Sequence, residues 1–205
     1  MHKNWFFGNV NNGVFSQQEN NSEDKLLHSF FCTSYSFSLP LQPKLEVMKK
    51  RILFVCLGNI CRSPAADGIM RGIISEAGKD DEWEVDSAGI GSWHVGDLPD
   101  RRMRSAGERR GYCFDHRARQ VCKEDFSRFD YIVGMDRENE RDLRRLAPSR
   151  EAAQRIMSME EILADHPTHN IVPDPYYGTA RDFELALDLI EYACQRLAQQ
   201  FGITK

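Results

Sequence analysis

The amino-acid sequence predicts a doubly wound α/β domain, on three observations. Short apolar runs of the strand type at residues 52–56, 83–87, 131–135 and 155–157 alternate with helical patterns at about 63–77, 99–110, 137–146 and 181–200, the rhythm of βαβ units. The last helix carries Phe183, Leu185, Ala186, Leu189, Ile190, Ala193 and Leu197 on one broad face, which needs a sheet or a bundle to lean on. Parallel strands this short also need crossover helices, and both faces of such a sheet need cover.

Taken in chain order, residues 1–47 come first and stand apart. They are rich in Asn, Ser, Gln and Phe, lack a sustained apolar period and hold Pro40 and Pro43 near their end. This segment is expected to be an extension without its own core, either disordered or ahead of a natural start at Met48. A docking role for Trp5, Phe6, Phe7, Phe30 and Phe31 is the alternative. The domain is expected at 48–205, where Met48-Lys49-Lys50-Arg51 runs straight into a strand of the buried type, Ile52-Leu53-Phe54-Val55-Cys56. A helix starts one short loop later, with Pro64 accommodated in its first turn. No internal repeat is visible.

Composition narrows the function classes. The chain has 205 residues, 41% hydrophobic and 28% charged, with a formal charge of −4, which gives no broad attraction for nucleic acid or an anionic membrane. Any anion site must therefore be local. The six cysteines are spread through a chain long enough to bury a core without disulfides, so they are read as mostly reduced. No apolar run has the length of a membrane span and no signal-peptide pattern opens the chain, so a cytoplasmic location is expected.

The most informative stretch is Val-Cys-Leu-Gly-Asn-Ile-Cys-Arg-Ser-Pro at 55–64, which contains Cys-x5-Arg in Cys56 and Arg62. A loop between a strand end and a helix start aims its amides and the positive helix end at one spot, which suits an oxyanion such as phosphate. Gly58 and Asn59 both tolerate the positive φ such a cradle can require. A cysteine at that focus favours the thiolate and can attack phosphorus. The planar fork of Arg62 can grip two phosphate oxygens, and Ser63 can donate to the Cys56 sulfur when it leaves. An isolated cysteine ending a buried strand is more often a small core residue. Strand, loop, arginine and helix together outweigh that reading.

This string resembles the signature of the low-molecular-weight protein tyrosine phosphatases, and the resemblance extends through nearly all of residues 50–200. It implies a flavodoxin-like, four-stranded parallel sheet in the order 2-1-3-4, helices on both faces, and an active site at the carboxyl ends of the strands. It also implies a cysteinyl-phosphate mechanism without cofactor or metal, acting on phosphotyrosine proteins and aryl phosphates. Leu57, Gly58, Asn59, Ile60, Cys61 and Ser63 form the phosphate-binding set. Expulsion of a phenolate needs an acid. In Pro173-Asp174-Pro175-Tyr176-Tyr177 the prolines stiffen the loop, and the resemblance makes Asp174 the general acid and later the base, although Pro-Asp-Pro alone is ordinarily a plain turn.

By the same resemblance Trp93 and Tyr176 wall the entrance and receive the aryl ring, while a hydrophobic plug is the plainer reading of Trp93. Ser87 and His116 join Asn59 and Ser63 in a hydrogen-bonded set that holds the loop, with His116 acting through Ser87. Asp136 has a mainly structural role near the loop. Cys61 either captures an oxidised Cys56 as a reversible disulfide or simply packs under the loop. Tyr176 and Tyr177 have a second family reading as phosphorylation sites. Expected partners are a phosphotyrosine protein substrate and an opposing tyrosine kinase, with the enzyme a monomer or weak homodimer.

Three other readings compete with this one. An arsenate reductase on the same fold needs relay cysteines, for which Cys113 and Cys122 are candidates, but has no use for an aryl-binding mouth. A protein-arginine phosphatase carries threonine where this chain has Ile60. A binding module that has lost catalysis would lack one of Cys56, Arg62 or Asp174, and all three are present. Finally, Arg101, Arg102, Arg104, Arg109, Arg110, Arg117 and Arg119, set against Glu108 and Asp115, form either a solvated helix face or a docking surface for acidic phosphoproteins.

Overall fold

The computed structural model describes residues 48–205, so the expectations for residues 1–47 lie outside the described residues. Four strands, β1 (Lys50–Cys56), β2 (Trp83–Gly89), β3 (Tyr131–Gly134) and β4 (Ile156–Ser158), form one parallel sheet in the order β2-β1-β3-β4. The helices are α1 (Arg62–Glu76), α2 (Arg101–Arg109), α3 (Asp125–Arg128), α4 (Arg137–Leu146), α5 (Arg150–Ala153), α6 (Met159–Ile162) and α7 (Ala180–Gln200). Among the described residues, no helix is long and apolar enough to cross a membrane.

The continuous apolar run of β1 has a direct structural cause. Ile52, Phe54 and Cys56 point into one core layer, with Ile69 and Met70 of α1 and Phe183 and Ile190 of α7. Leu53 and Val55 point into the other, with Phe126, Phe129, Leu143 and Ile156. Side chains alternate across a strand, so a strand covered on both faces must be apolar at every position. The chain leaves β1 for β2 on one side and later returns to pair β3 on the other. That reversal of direction opens a crevice at the carboxyl end of β1, where Cys56 lies.

Capping sets the helix starts that position the site. Asp100 accepts from Arg102 N at 2.7 Å, so α2 begins two residues later than the pattern at 99–110 suggests. Asp136 caps α4 by accepting from Asn139 N at 2.7 Å. A reciprocal pair, Thr179 and Asp182, opens α7. Strand β4 lies one residue later than expected, and α3, α5 and α6 went unpredicted because four residues are too few to show a helical period.

Candidate active site

The loop between β1 and α1 is held from three directions. Its carbonyls at Cys56, Leu57 and Ile60 accept from the amides of Ile90, Gly91 and Asp100 at 2.9, 2.9 and 2.7 Å. Gly89 permits this contact, because a Cβ there would lie 3.0 Å from the Gly58 carbonyl carbon and 3.1 Å from Asn59 N. Asn59 has φ +56°, the one positive φ at a non-glycine among the described residues. Its fully buried side chain donates to Ser63 Oγ and Ser87 Oγ, each at 2.9 Å, and accepts from Arg119 N at 2.9 Å. Those three bonds offset the strain of the left-handed backbone. Asn59→Ala keeps the strain and strands Ser87 and the Arg119 amide. It is expected to destabilise the fold by about 2–3 kcal/mol, measured by urea denaturation. Gly58 departs from its expected role, since its φ is not positive. What it supplies is room: a Cβ there would sit 3.2 Å from His94 Cδ2.

Cys56 is 3% exposed, and its Sγ accepts two hydrogen bonds, from Asn59 N at 3.2 Å and from Ser63 Oγ at 3.0 Å. The Ser63 hydroxyl also lies 3.2 Å from Ala88 O, so its single proton has two acceptors to choose between. Arg62, in the first turn of α1, is 3% exposed and spans two carboxylates, with Nη1 on Asp136 and Nη2 on Asp174, both at 2.6 Å. Its buried Nε has no protein partner. Burial alone would discourage its charge, but Cys56, Asp174 and Asp136 outweigh burial and hold Arg62 more firmly protonated than usual. Asp136 therefore does more than the structural role expected of it, joining the α4 cap to the Arg62 fork.

Asp174 is set by its own loop: Oδ1 accepts from Tyr176 N at 3.1 Å while Oδ2 faces Arg62. Above it lies a cavity of about 350 Å³, lined by Cys56, Leu57, Gly58, Ile60, Cys61, Trp93, His94, Asp174, Tyr176 and Tyr177. Trp93 is 73% exposed, so it is a wall and not a core plug. Its indole folds over Gly91, where a Cβ would come within 1.9 Å of the ring. Reading the sequence missed His94, whose Nδ1 meets Asp97 Oδ2 at 3.1 Å and whose ring lies 6.3 Å from that of Tyr176. The local signal was a histidine directly after the tryptophan in a Gly/Ser loop.

His116 is expected to act through Ser87, and it lies against the Ser87 main chain, while the Ser87 hydroxyl accepts from Asn59. Its Nε2 is buried without a partner. Its Nδ1 faces Asp86 Oδ1 at 3.6 Å and Asp67 Oδ2 at 3.8 Å. Burial lowers the proton affinity of His116 and pushes the fully buried Asp67 up to about 7, although Arg71, 2.8 Å from Asp67, pulls the other way. Asp67, Asp86 and His116 come close enough to suggest a cation, but Arg71 and Arg119 already pair with the two carboxylates. The main chain of Arg119, unforeseen in the sequence, adds a third partner to Asn59. Cys61 is buried and free, and burial, with the neighbouring Cys56 next, keeps it firmly a thiol.

Residues 51–204 match the family model described as low molecular weight phosphotyrosine protein phosphatase. Low molecular weight phosphotyrosine protein phosphatase 1 of Drosophila melanogaster is 44% identical over 148 residues, 72% of this chain and 94% of that protein. The crystal structure of a protein tyrosine phosphatase from Entamoeba histolytica superposes with a TM-score of 0.72 at 40% identity, covering 75% of this chain and 97% of that one. A Drosophila arginine phosphatase superposes at 0.69 with 32% identity, over 75% and 98% of the two chains. With the strand–loop–helix geometry around Cys56, these matches show that the chain belongs to the low molecular weight phosphotyrosine protein phosphatase family.

Proposed function

We propose that the chain hydrolyses phosphotyrosine in protein substrates in two steps, through a phosphorylated Cys56. The observation that carries this reading is the doubly hydrogen-bonded Cys56 sulfur beside an arginine forked between two carboxylates. The Asn59 amide and the Ser63 hydroxyl both face the sulfur, the atom that attacks phosphorus. An incoming phosphate dianion competes with Asp174 for Arg62 Nη2 and offers an acceptor to the unpartnered Nε. Displacing Asp174 from the guanidinium frees its Oδ2 to face the leaving oxygen. The S–P bond then forms, the P–O bond to tyrosine breaks, and Asp174 gives its proton to the departing phenolate. In the second step Asp174 takes a proton from water as the water attacks phosphorus. Cys56 leaves as thiolate, with the Ser63 hydroxyl turned to its sulfur.

The mouth supports an aryl substrate, since Trp93 and Tyr176 offer flat apolar walls on opposite loops above a buried sulfur. The arginine phosphatase among the similar structures keeps a second reading in play. Ile60, 8% exposed and lining the cavity, gives a guanidinium nothing to hydrogen-bond, which favours tyrosine.

The test is hydrolysis of para-nitrophenyl phosphate, phenyl phosphate and phosphotyrosine, phosphoserine and phosphoarginine peptides, with EDTA present. Wild type should cleave the aryl substrates and the phosphotyrosine peptide. Asp174→Ala should slow phenyl phosphate by about 100-fold, and the nitrophenyl ester less, because its leaving group needs less help. Inactivity on every aryl phosphate would overturn the reading and make thioredoxin-linked arsenate reduction the next assay. A preference for the phosphoarginine peptide would transfer it to the second reading.

A further inference from the structure

We propose that the arginine-lined pocket on α2 is a second anion subsite, which takes an aspartate or glutamate side chain of the same substrate chain, a few residues from the phosphotyrosine. The inference rests on the phosphotyrosine reading and deepens it by naming a substrate class. The pocket has a volume of about 470 Å³ and is lined by Arg101, Arg102, Arg104, Arg109 and Phe183, among others. Two hydrogen bonds tie it to the active-site mouth. Asp100 N donates to the Ile60 carbonyl of the phosphate loop at 2.7 Å, which seats the first turn of α2 against that loop. Arg102 donates to the carbonyl of Tyr176 at 2.9 Å and stacks over Phe183 at 4.5 Å.

The charges around the pocket are incompletely matched. Arg102 is paired with Asp100 at 2.8 Å and Arg109 with Glu184 at 2.6 Å. Arg104 has Nε on the Pro99 carbonyl, and among the described residues neither it nor Arg101 forms an ion pair. Glu108, also in the lining, forms none with them. Both arginines lie on one face of the first helical turn, spaced three apart. The formal charge of the whole chain is −4, so this local excess of cations is not one sample of a basic surface.

Reach and chemistry select the occupant. An extended peptide advances about 3.3 Å per residue, and the first turn of α2 touches the phosphate loop at Ile60, so side chains near the phosphotyrosine in sequence come over that turn. A second phosphate would favour free amides at the helix start, but Asp100 already occupies that end. Two guanidiniums at a half-open pocket suit a carboxylate.

The test compares wild type with Arg101→Gln/Arg104→Gln on peptides sharing one phosphotyrosine core. One peptide carries acidic residues at the flanking positions, one carries their amides, and one carries a second phosphotyrosine. Wild type should prefer the acidic peptide over the amide peptide by about tenfold in kcat/KM, a preference that falls as salt rises. The double variant should reduce it to about twofold and leave para-nitrophenyl phosphate turnover unchanged. Arg101→Lys/Arg104→Lys should retain most of the preference. Equal cleavage of acidic and amide peptides by wild type, or an undiminished preference in the glutamine variant, would overturn the subsite, as would a gain confined to the doubly phosphorylated peptide. Loss of all aryl phosphatase activity in wild type would instead strike the phosphotyrosine reading, and para-nitrophenyl phosphate separates the two failures.

Discussion

Cys56→Ser is expected to lower turnover of para-nitrophenyl phosphate by about four orders of magnitude or more, with the fold retained. The substitution replaces one atom in a site whose supports come from elsewhere. The Asn59 amide and the Ser63 hydroxyl still point at position 56, and the carbonyls of Cys56, Leu57 and Ile60 stay tied to the amides of Ile90, Gly91 and Asp100. What changes is the nucleophile. A serine hydroxyl is far harder to ionise than a thiol, and the groups that hydrogen-bond position 56, the Asn59 amide and the Ser63 hydroxyl, are donors and not bases. The inert protein should still bind phosphotyrosine peptide. Isothermal titration with the Ser variant therefore separates loss of chemistry from loss of the cradle. Substantial residual turnover in that variant would remove Cys56 as nucleophile.

Arg62→Ala should lower kcat/KM by about three orders of magnitude. The side chain supplies a planar pair of donors that meet charge spread over phosphate oxygens, and its burial strengthens each of those bonds. Arg62→Lys tests which property matters. A point charge without the fork should recover little of the loss, because Asp136 and Asp174 lie on the two separate terminal nitrogens of the guanidinium. Steady-state kinetics on phenyl phosphate give both numbers. A lysine variant near wild-type activity would mean that positive charge alone suffices.

The legible parts of this protein were those written in contiguous residues. The uninterrupted apolar run of β1 reflects burial on both faces, and the loop from Cys56 to Arg62 could be read as one string. The long apolar face of α7 was equally plain. Contacts assembled from distant segments were not legible in the same way. Arg62 meets Asp136 and Asp174 across 74 and 112 residues, and Asn59 gathers partners from α1, β2 and the segment that ends at Arg119. Nothing local in the sequence points to the main-chain donation from Arg119 to Asn59, since Arg119 lies in an irregular stretch. His94 enters the mouth only because the loop after β2 folds back over Gly58. The short helices α5 and α6 are visible by their serine caps, not by their period, and α3 has no side-chain cap at all.

Asp136 ties folding and chemistry to one carboxylate, with one oxygen on the start of α4 and the other on Arg62. Its evolutionary consequence differs from that of Cys56. In a library of variants sorted first by cellular abundance and then by activity, position 56 should tolerate small residues in the first sort and almost nothing in the second. Position 136 should be restricted in both, because a lineage that loses its carboxylate loses a helix start together with half of its arginine clamp. Drift at 136 is thus policed by protein quality control before any substrate is met.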